Sequence, residues 1–161
     1  NQDREGGMSG FDPLFSFGHG LSYTQFAYGD LAVDRDSLST QSLRNGSTVE
    51  VSVTITNTGD RRGKDVVQLY LSDLVASVTP SVKELTRFAK VDLAPGERER
   101  LTFTLSTEDF SFIGREGTPV VEPGTFRVQV EGLSTPIDLV GDRFRAEELG
   151  SSTNGTSSSA E

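Results

Sequence analysis

The chain contains one histidine, His19, and no cysteine, so the residue types behind most nucleophilic and metal chemistry are nearly absent. A Ser-His-Asp relay would have to be built around His19 alone, and a metal site with a thiolate or with two histidines is excluded by composition. His19 lies between Gly18 and Gly20 in an aromatic stretch, where packing or hydrogen bonding at a domain junction suits it better than general-base work. Carboxylates are abundant, but cleaving a glycosidic bond takes two of them held about 5 to 10 Å apart across a sugar. Asp73, Glu84, Glu97, Glu108, Asp109 and Glu122 fall mostly beside turn signals, where capping and solvation account for them. A sugar-binding face would display flat aromatic planes, yet tryptophan is missing, and Tyr23, Tyr28 and Tyr70 sit where junction or core packing explains them. Gly18-His-Gly20 opens no strand-to-helix unit that could cradle a phosphate. Asn45-Gly-Ser47 and Asn154-Gly-Thr156 fit the glycosylation pattern, which is short enough to arise by chance. No catalytic residue, metal ligand or cofactor site is therefore expected.

The balance of charge narrows the partners. Twenty-four acidic against fifteen basic residues give a net charge of −9, which repels phosphate backbones and anionic lipid, so nucleic acid is not an expected partner. Lys64, Lys83 and Lys90 are the lysines and the other cations are arginines; solubility accounts for so acidic a surface, as would a salty medium. No apolar run approaches the roughly 18 residues of a membrane span. Asn1 to Gly10 lacks the basic start and apolar stretch of a signal peptide, and the chain reads as an excised C-terminal piece. The compartment stays open, because without cysteine redox chemistry gives no hint of it.

The elements that would position any functional residue are strands. Phe26 to Val33 reads as a first strand. Thr48 to Asn57 shows the clearest period of two, with Val49, Val51, Val53 and Ile55 on one face and Glu50, Ser52, Thr54 and Thr56 on the other. Asp65 to Leu74 is apolar on both faces, with Val67, Leu69 and Leu71 opposite Val66 and Tyr70, as in a central strand covered on more than one side. Val82 to Leu93 supplies one or two strands. Pro95-Gly96 suits the centre of a type II turn, and Leu101, Phe103 and Leu105 resume the alternation. Thr107 is placed to cap a single helical turn through Asp109. Short strands at Phe110 to Ile113 and Val120 to Val121, then Phe126, Val128 and Val130, then Ile137 to Val140, complete the set. Seven or eight strands without a convincing helix predict an all-β, immunoglobulin- or fibronectin type III-like two-sheet sandwich. The expected organisation is a linker over 1–24, the sandwich over 25–141 and a polar, disordered tail over 142–161.

Four blocks in fixed order carry a resemblance. They are Pro13-Leu-Phe-Ser-Phe-Gly-His-Gly-Leu-Ser-Tyr-Thr24; Val53-Thr-Ile-Thr-Asn-Thr-Gly59 with Gly63-Lys-Asp-Val-Val-Gln-Leu-Tyr-Leu71; Lys83-Glu-Leu85 with Phe88 and Leu93-Ala-Pro-Gly-Glu97; and Val121-Glu-Pro-Gly124. The chain resembles the C-terminal region of family 3 glycoside hydrolases, the β-glucosidases and β-xylosidases. That resemblance implies a linker leaving an α/β domain, followed by a fibronectin-like domain that packs on the two upstream domains. The family's nucleophilic aspartate belongs to a barrel and its acid/base glutamate usually to the α/β domain, so neither has a counterpart here. Retaining hydrolysis would belong to a parent enzyme, secreted or periplasmic, and not to this chain.

The expected role is thus a non-catalytic structural domain of a β-glucosidase-like hydrolase, partnered by the upstream barrel and α/β domains. Phe15, Phe17, His19, Leu21 and Tyr23 are the expected interdomain anchor, and an exposed apolar patch should follow. A free-standing cell-surface or adhesion module is the competing reading, since sandwiches of this kind serve many proteins. A stand-alone sugar-binding module is weakened by the lack of tryptophan.

Overall fold

The computed structural model describes residues 23–75 and 83–146. Its strands are β1 (Phe26–Val33), β2 (Ser37–Ser39), β3 (Val49–Asn57), β4 (Gly63–Asp73), β5 (Glu84–Leu93), β6 (Arg98–Leu105), β7 (Phe112–Ile113), β8 (Pro119–Val121), β9 (Gly124–Val130), β10 (Leu133–Val140) and β11 (Phe144–Arg145). One sheet runs β1-β3-β6, a second runs β2-β10-β9-β4-β5, and β11-β8-β7 form a small third ribbon. The expected β-sandwich is what the chain forms. Its first segment is divided between the two main sheets: β1 pairs antiparallel with β3, and β2 then pairs parallel with Asp138–Val140 of β10.

The alternation in β3 explains the first layer. Val49, Val51, Val53 and Ile55 are fully buried, and burial of such aliphatic side chains contributes about 1.5 to 3 kcal/mol each. They face Val67 and Leu69 of β4, Val128 and Val130 of β9, and Ile137 and Leu139 of β10 within one core. Phe110 and Phe126 meet edge to face, ring centres 5.2 Å apart, and close one end of it. Tyr28 of β1 reaches across the sandwich and donates its hydroxyl to Asp65 Oδ2 of β4 at 2.5 Å. Burial first, and then the carboxylate of Asp65, push the Tyr28 phenol above its usual range.

Several local readings differ from the sequence expectation. A one-turn helix, α1 (Thr40–Arg44), precedes the polar turn at Asn45–Gly46, with Ser39 Oγ accepting from the Ser42 N–H at 3.0 Å. The turn over Thr107–Phe110 is present as a 3-10 turn, but Thr107 does not cap it. Asp109 Oδ2 takes the Ser106 N–H at 2.7 Å, while the Thr107 hydroxyl is buried and donates to the Leu43 carbonyl at 2.7 Å. Val82 to Leu93 contributes a single strand, β5. Phe144 is only 8% exposed and belongs to the core, so packed chain continues beyond residue 141, where the sequence suggested a tail. Residues 147–161 lie outside the described residues.

The two faces of β4 make one prediction. Leu69→Ala should cost about 2 to 5 kcal/mol of unfolding free energy, and Val66→Ala on the opposite face no more than about 0.5, by urea denaturation of the chain. Tyr28 makes another. Its folded-state pKa is raised, so its contribution is complete below the free phenol's value of about 10 and is lost as pH climbs towards the folded value. Thermal melts from pH 8 to 11 should therefore show an alkaline loss of stability that Tyr28→Phe reduces.

Candidate interdomain junction

Asn57 is fully buried where β3 ends, a place where an amide must find partners for all its polar groups. It finds four. Its Nδ2 donates to the carbonyls of Arg61 at 2.7 Å and Leu93 at 2.8 Å, and its Oδ1 accepts from Thr24 Oγ1 at 2.8 Å and the Gly59 N–H at 3.0 Å. Its backbone joins the turn between β5 and β6: the Asn57 N–H donates to the Glu97 carbonyl, and the Gly96 N–H to the Asn57 carbonyl. That turn is the expected type II, with Gly96 at φ +74° and the Glu97 N–H donating to the Ala94 carbonyl at 2.9 Å.

Thr24 is wedged into the same corner. A Cβ added to Gly59 would stand 2.0 Å from Thr24 Oγ1, and one added to Gly63 would stand 2.3 Å from Thr24 Cγ2. Two glycines thus make room for one threonine, and the Thr58 N–H donates to the Gln25 carbonyl at 2.8 Å to hold the strand start in place. Tyr23, one residue earlier, is 87% exposed. Beside it lies a hollow of about 460 Å³ lined by Tyr23, Thr24, Gln25, Gly59 and Asp60, with Asp60 as its single carboxylate. Of the expected anchor residues, Tyr23 therefore stands in solvent at this corner. Phe15, Phe17, His19 and Leu21 lie outside the described residues.

The acidic residues singled out from the sequence are largely occupied in local structure. Asp73 accepts from the Val75 N–H, Glu97 accepts from the Ala94 N–H, and Glu122 pairs with Arg143 at 3.2 Å. Asp109 pairs with Arg87 at 2.7 Å in addition to its bond from Ser106. Asp34 closes the β1 end: burial opposes its ionisation, but Arg35 and the Glu50 N–H outweigh this and hold its carboxyl below the usual range. Among the described residues, no group of three His, Cys, Asp or Glu side chains could hold a metal ion, and no helix is long and apolar enough to cross a membrane.

One surface escaped the sequence reading. Val66 and Tyr70 were expected to be covered, yet Val66 is 36% exposed, and across the register from this face stand Leu85 and Phe88 of β5, 48% and 64% exposed. Leu85 and Phe88 are three apart, which breaks the strand period; a bulge at Thr86 restores it by bringing Leu85 opposite Tyr70. The signal was present in the sequence as apolar residues at a spacing that a regular strand would place on opposite faces.

Two main sheets, with the first segment shared between them, define a fibronectin type III-like β-sandwich. Residues 65–134 match the family description of the fibronectin type III-like domain. The chain is 47% identical over 123 residues to a lysosomal beta glucosidase of Dictyostelium discoideum and 43% identical over 131 residues to the thermostable beta-glucosidase B of Acetivibrio thermocellus. These alignments cover 73% and 81% of the chain but only 15% and 17% of those proteins. Among solved structures, a β-glucosidase of Erythrobacter marinus superimposes with a TM-score of 0.73 at 42% identity, over 83% of this chain and 18% of that one. The β-glucosidase of Listeria innocua bound to isofagomine gives 0.69 at 35% identity, over 84% and 19%. Residues 65–134 belong to the fibronectin type III-like domain family, and most of the chain is similar to the matching part of β-glucosidases.

The corner yields a test. In Asn57→Asp a carboxylate oxygen replaces the Nδ2 donor and faces two carbonyls, which should cost at least about 3 kcal/mol at pH 7. Burial and the lost donors hold the new carboxyl's pKa above the usual value of about 4, so the variant keeps most stability at low pH and loses it as pH rises through the folded value. Urea unfolding at pH 4.5 and pH 8 should show a deficit against the wild type that is larger at pH 8; an equal deficit at both would contradict this account of the corner.

Proposed function

We propose that the chain is a non-catalytic structural module of a β-glucosidase-type glycoside hydrolase, packing against the enzyme's barrel and α/β domains and stabilising them. The observation that carries this reading is the mismatch of coverage: relatives named as β-glucosidases match most of this chain, while it spans only 15% to 17% of their length. The hydrolysis those proteins are named for then depends on chain that has no counterpart here.

In this reading residues 1–24 are the link to the α/β domain, with Phe15, Phe17, His19, Leu21 and Tyr23 as its anchor. The exposure of Tyr23 supports that role, since a large aromatic ring left in solvent gains by burial against a neighbour.

The test is a graft. The region of the Dictyostelium relative that matches this chain is deleted, and this chain is fused in its place. The graft should hydrolyse p-nitrophenyl β-glucoside and resist heat inactivation better than the deletion alone, whereas this chain by itself should not turn over the β-glucoside or β-xyloside. Turnover by the isolated chain, or a graft no more stable than the deletion, would overturn the proposal.

A further inference from the structure

The outer face of β4 and β5 carries more apolar surface than a solvent-facing sheet needs. Register places Val66 and Tyr70 on β4 beside Leu85 and Phe88 on β5, all on the side away from the core residues Val67, Leu69 and Val91. Val66, Leu85 and Phe88 are 36%, 48% and 64% exposed. Single exposed apolar residues occur on any surface; three contiguous ones together with a tyrosine mark a contact site.

Lysine is concentrated on this face, where the carboxylate of Asp92, opposite Lys64 in the register, is taken up by Arg62 at 2.9 Å. All three lysines of a chain whose net charge is −9 lie on it or at its border. Lys64 and Lys90 stand on the outer side of β4 and β5 by register, and Lys83 sits with its ammonium 4.2 Å from the centre of the Tyr70 ring. An apolar centre with a cationic rim fits a partner with an apolar centre and a carboxylate rim. It fits a second copy of itself poorly, because lysine would meet lysine. Strand addition along the β5 edge is also disfavoured, because the bulge at Thr86 and the charged residues of β5 disrupt a flat edge.

The path of the chain points to the same place. Thr24 packs against Gly63, the first residue of β4, so the described chain begins at the end of the sandwich where this face begins. We infer that the outer β4–β5 face, centred on Phe88 and Leu85 and rimmed by Lys83 and Lys90, is the docking surface for a neighbouring domain of the same enzyme, one that presents carboxylates around an apolar patch. This rests on the proposed structural role and adds the surface and the chemistry of its partner.

The graft described above tests it. Leu85→Asp with Phe88→Asp is compared with Ile113→Asp, an equally exposed apolar site on β7, and with the milder charge reversal Lys90→Glu. The double variant should lower the inactivation temperature of the graft by several degrees and its activity after heating by about tenfold. Lys90→Glu should weaken the graft in low salt and less so in high salt, while Ile113→Asp should leave it unchanged. The isolated chain should melt at the same temperature with and without Lys90→Glu, which separates docking from folding. A wild-type graft that stabilises while both face variants match it would overturn the docking surface and leave the structural role standing. A wild-type graft that fails to stabilise would remove both. If the isolated chain sediments as a dimer that Lys90→Glu or the double variant dissociates, the occupant is a second copy and the assignment to a neighbouring domain is wrong.

Discussion

The four hydrogen bonds of the Asn57 side chain are the constraint on which the arrangement of the sandwich depends. Through one buried amide and its backbone, the start of the chain's first strand, the turn after β3, the end of β5 and the turn into β6 are held at a single point. Each of those segments has a polar group that would otherwise be short of a partner at the sandwich's end, and an unmet buried group costs about 1 to 3 kcal/mol. The amide is suited to this because it offers two donors and two acceptor positions in one plane. The glycines at 59 and 63 follow from it, since Thr24 can reach Asn57 only if neither neighbour has a side chain.

At the opposite level of organisation, the two main sheets are joined by the division of the first segment. β1 belongs to one sheet and β2 to the other, so the loop between them is a covalent strap across the edge of the core. The parallel pairing of β2 begins at Asp138, two residues after Pro136, which has no N–H to contribute to a ladder. Tyr28 adds a polar strap from β1 to β4 with its bond to Asp65.

Much of this was legible in the sequence where a strand has one wet and one dry face. β3 was read almost to the residue because Val49, Val51, Val53 and Ile55 alternate with polar residues. The type II turn was legible because Pro and Gly each fix a backbone angle. The failures have equally physical causes. α1 is one turn of mostly polar residues, too short for a helical period to show, and β2 is three residues long. Ser106 and Thr107 offer the same hydroxyl one residue apart, and only the buried carbonyl of Leu43 decides that Thr107 faces inward. The second face of β4 was read as covered because local apolarity does not say whether a strand face is buried. The exposed β4–β5 surface was missed because the bulge at Thr86 hides its period, and of the anchor read from the sequence only Tyr23 lies among the described residues.

The wedge at Thr24 has a geometric consequence for whatever precedes it. A chain leaving a domain through a flexible loop sweeps a wide cone, and anything attached to it is diluted over that volume. Here residue 24 is clamped between two glycines and hydrogen-bonded from within, so the sandwich itself sets the position of the backbone at this corner. The corner thus offers one fixed attachment point, and a fixed attachment point raises the effective concentration of two joined parts for each other.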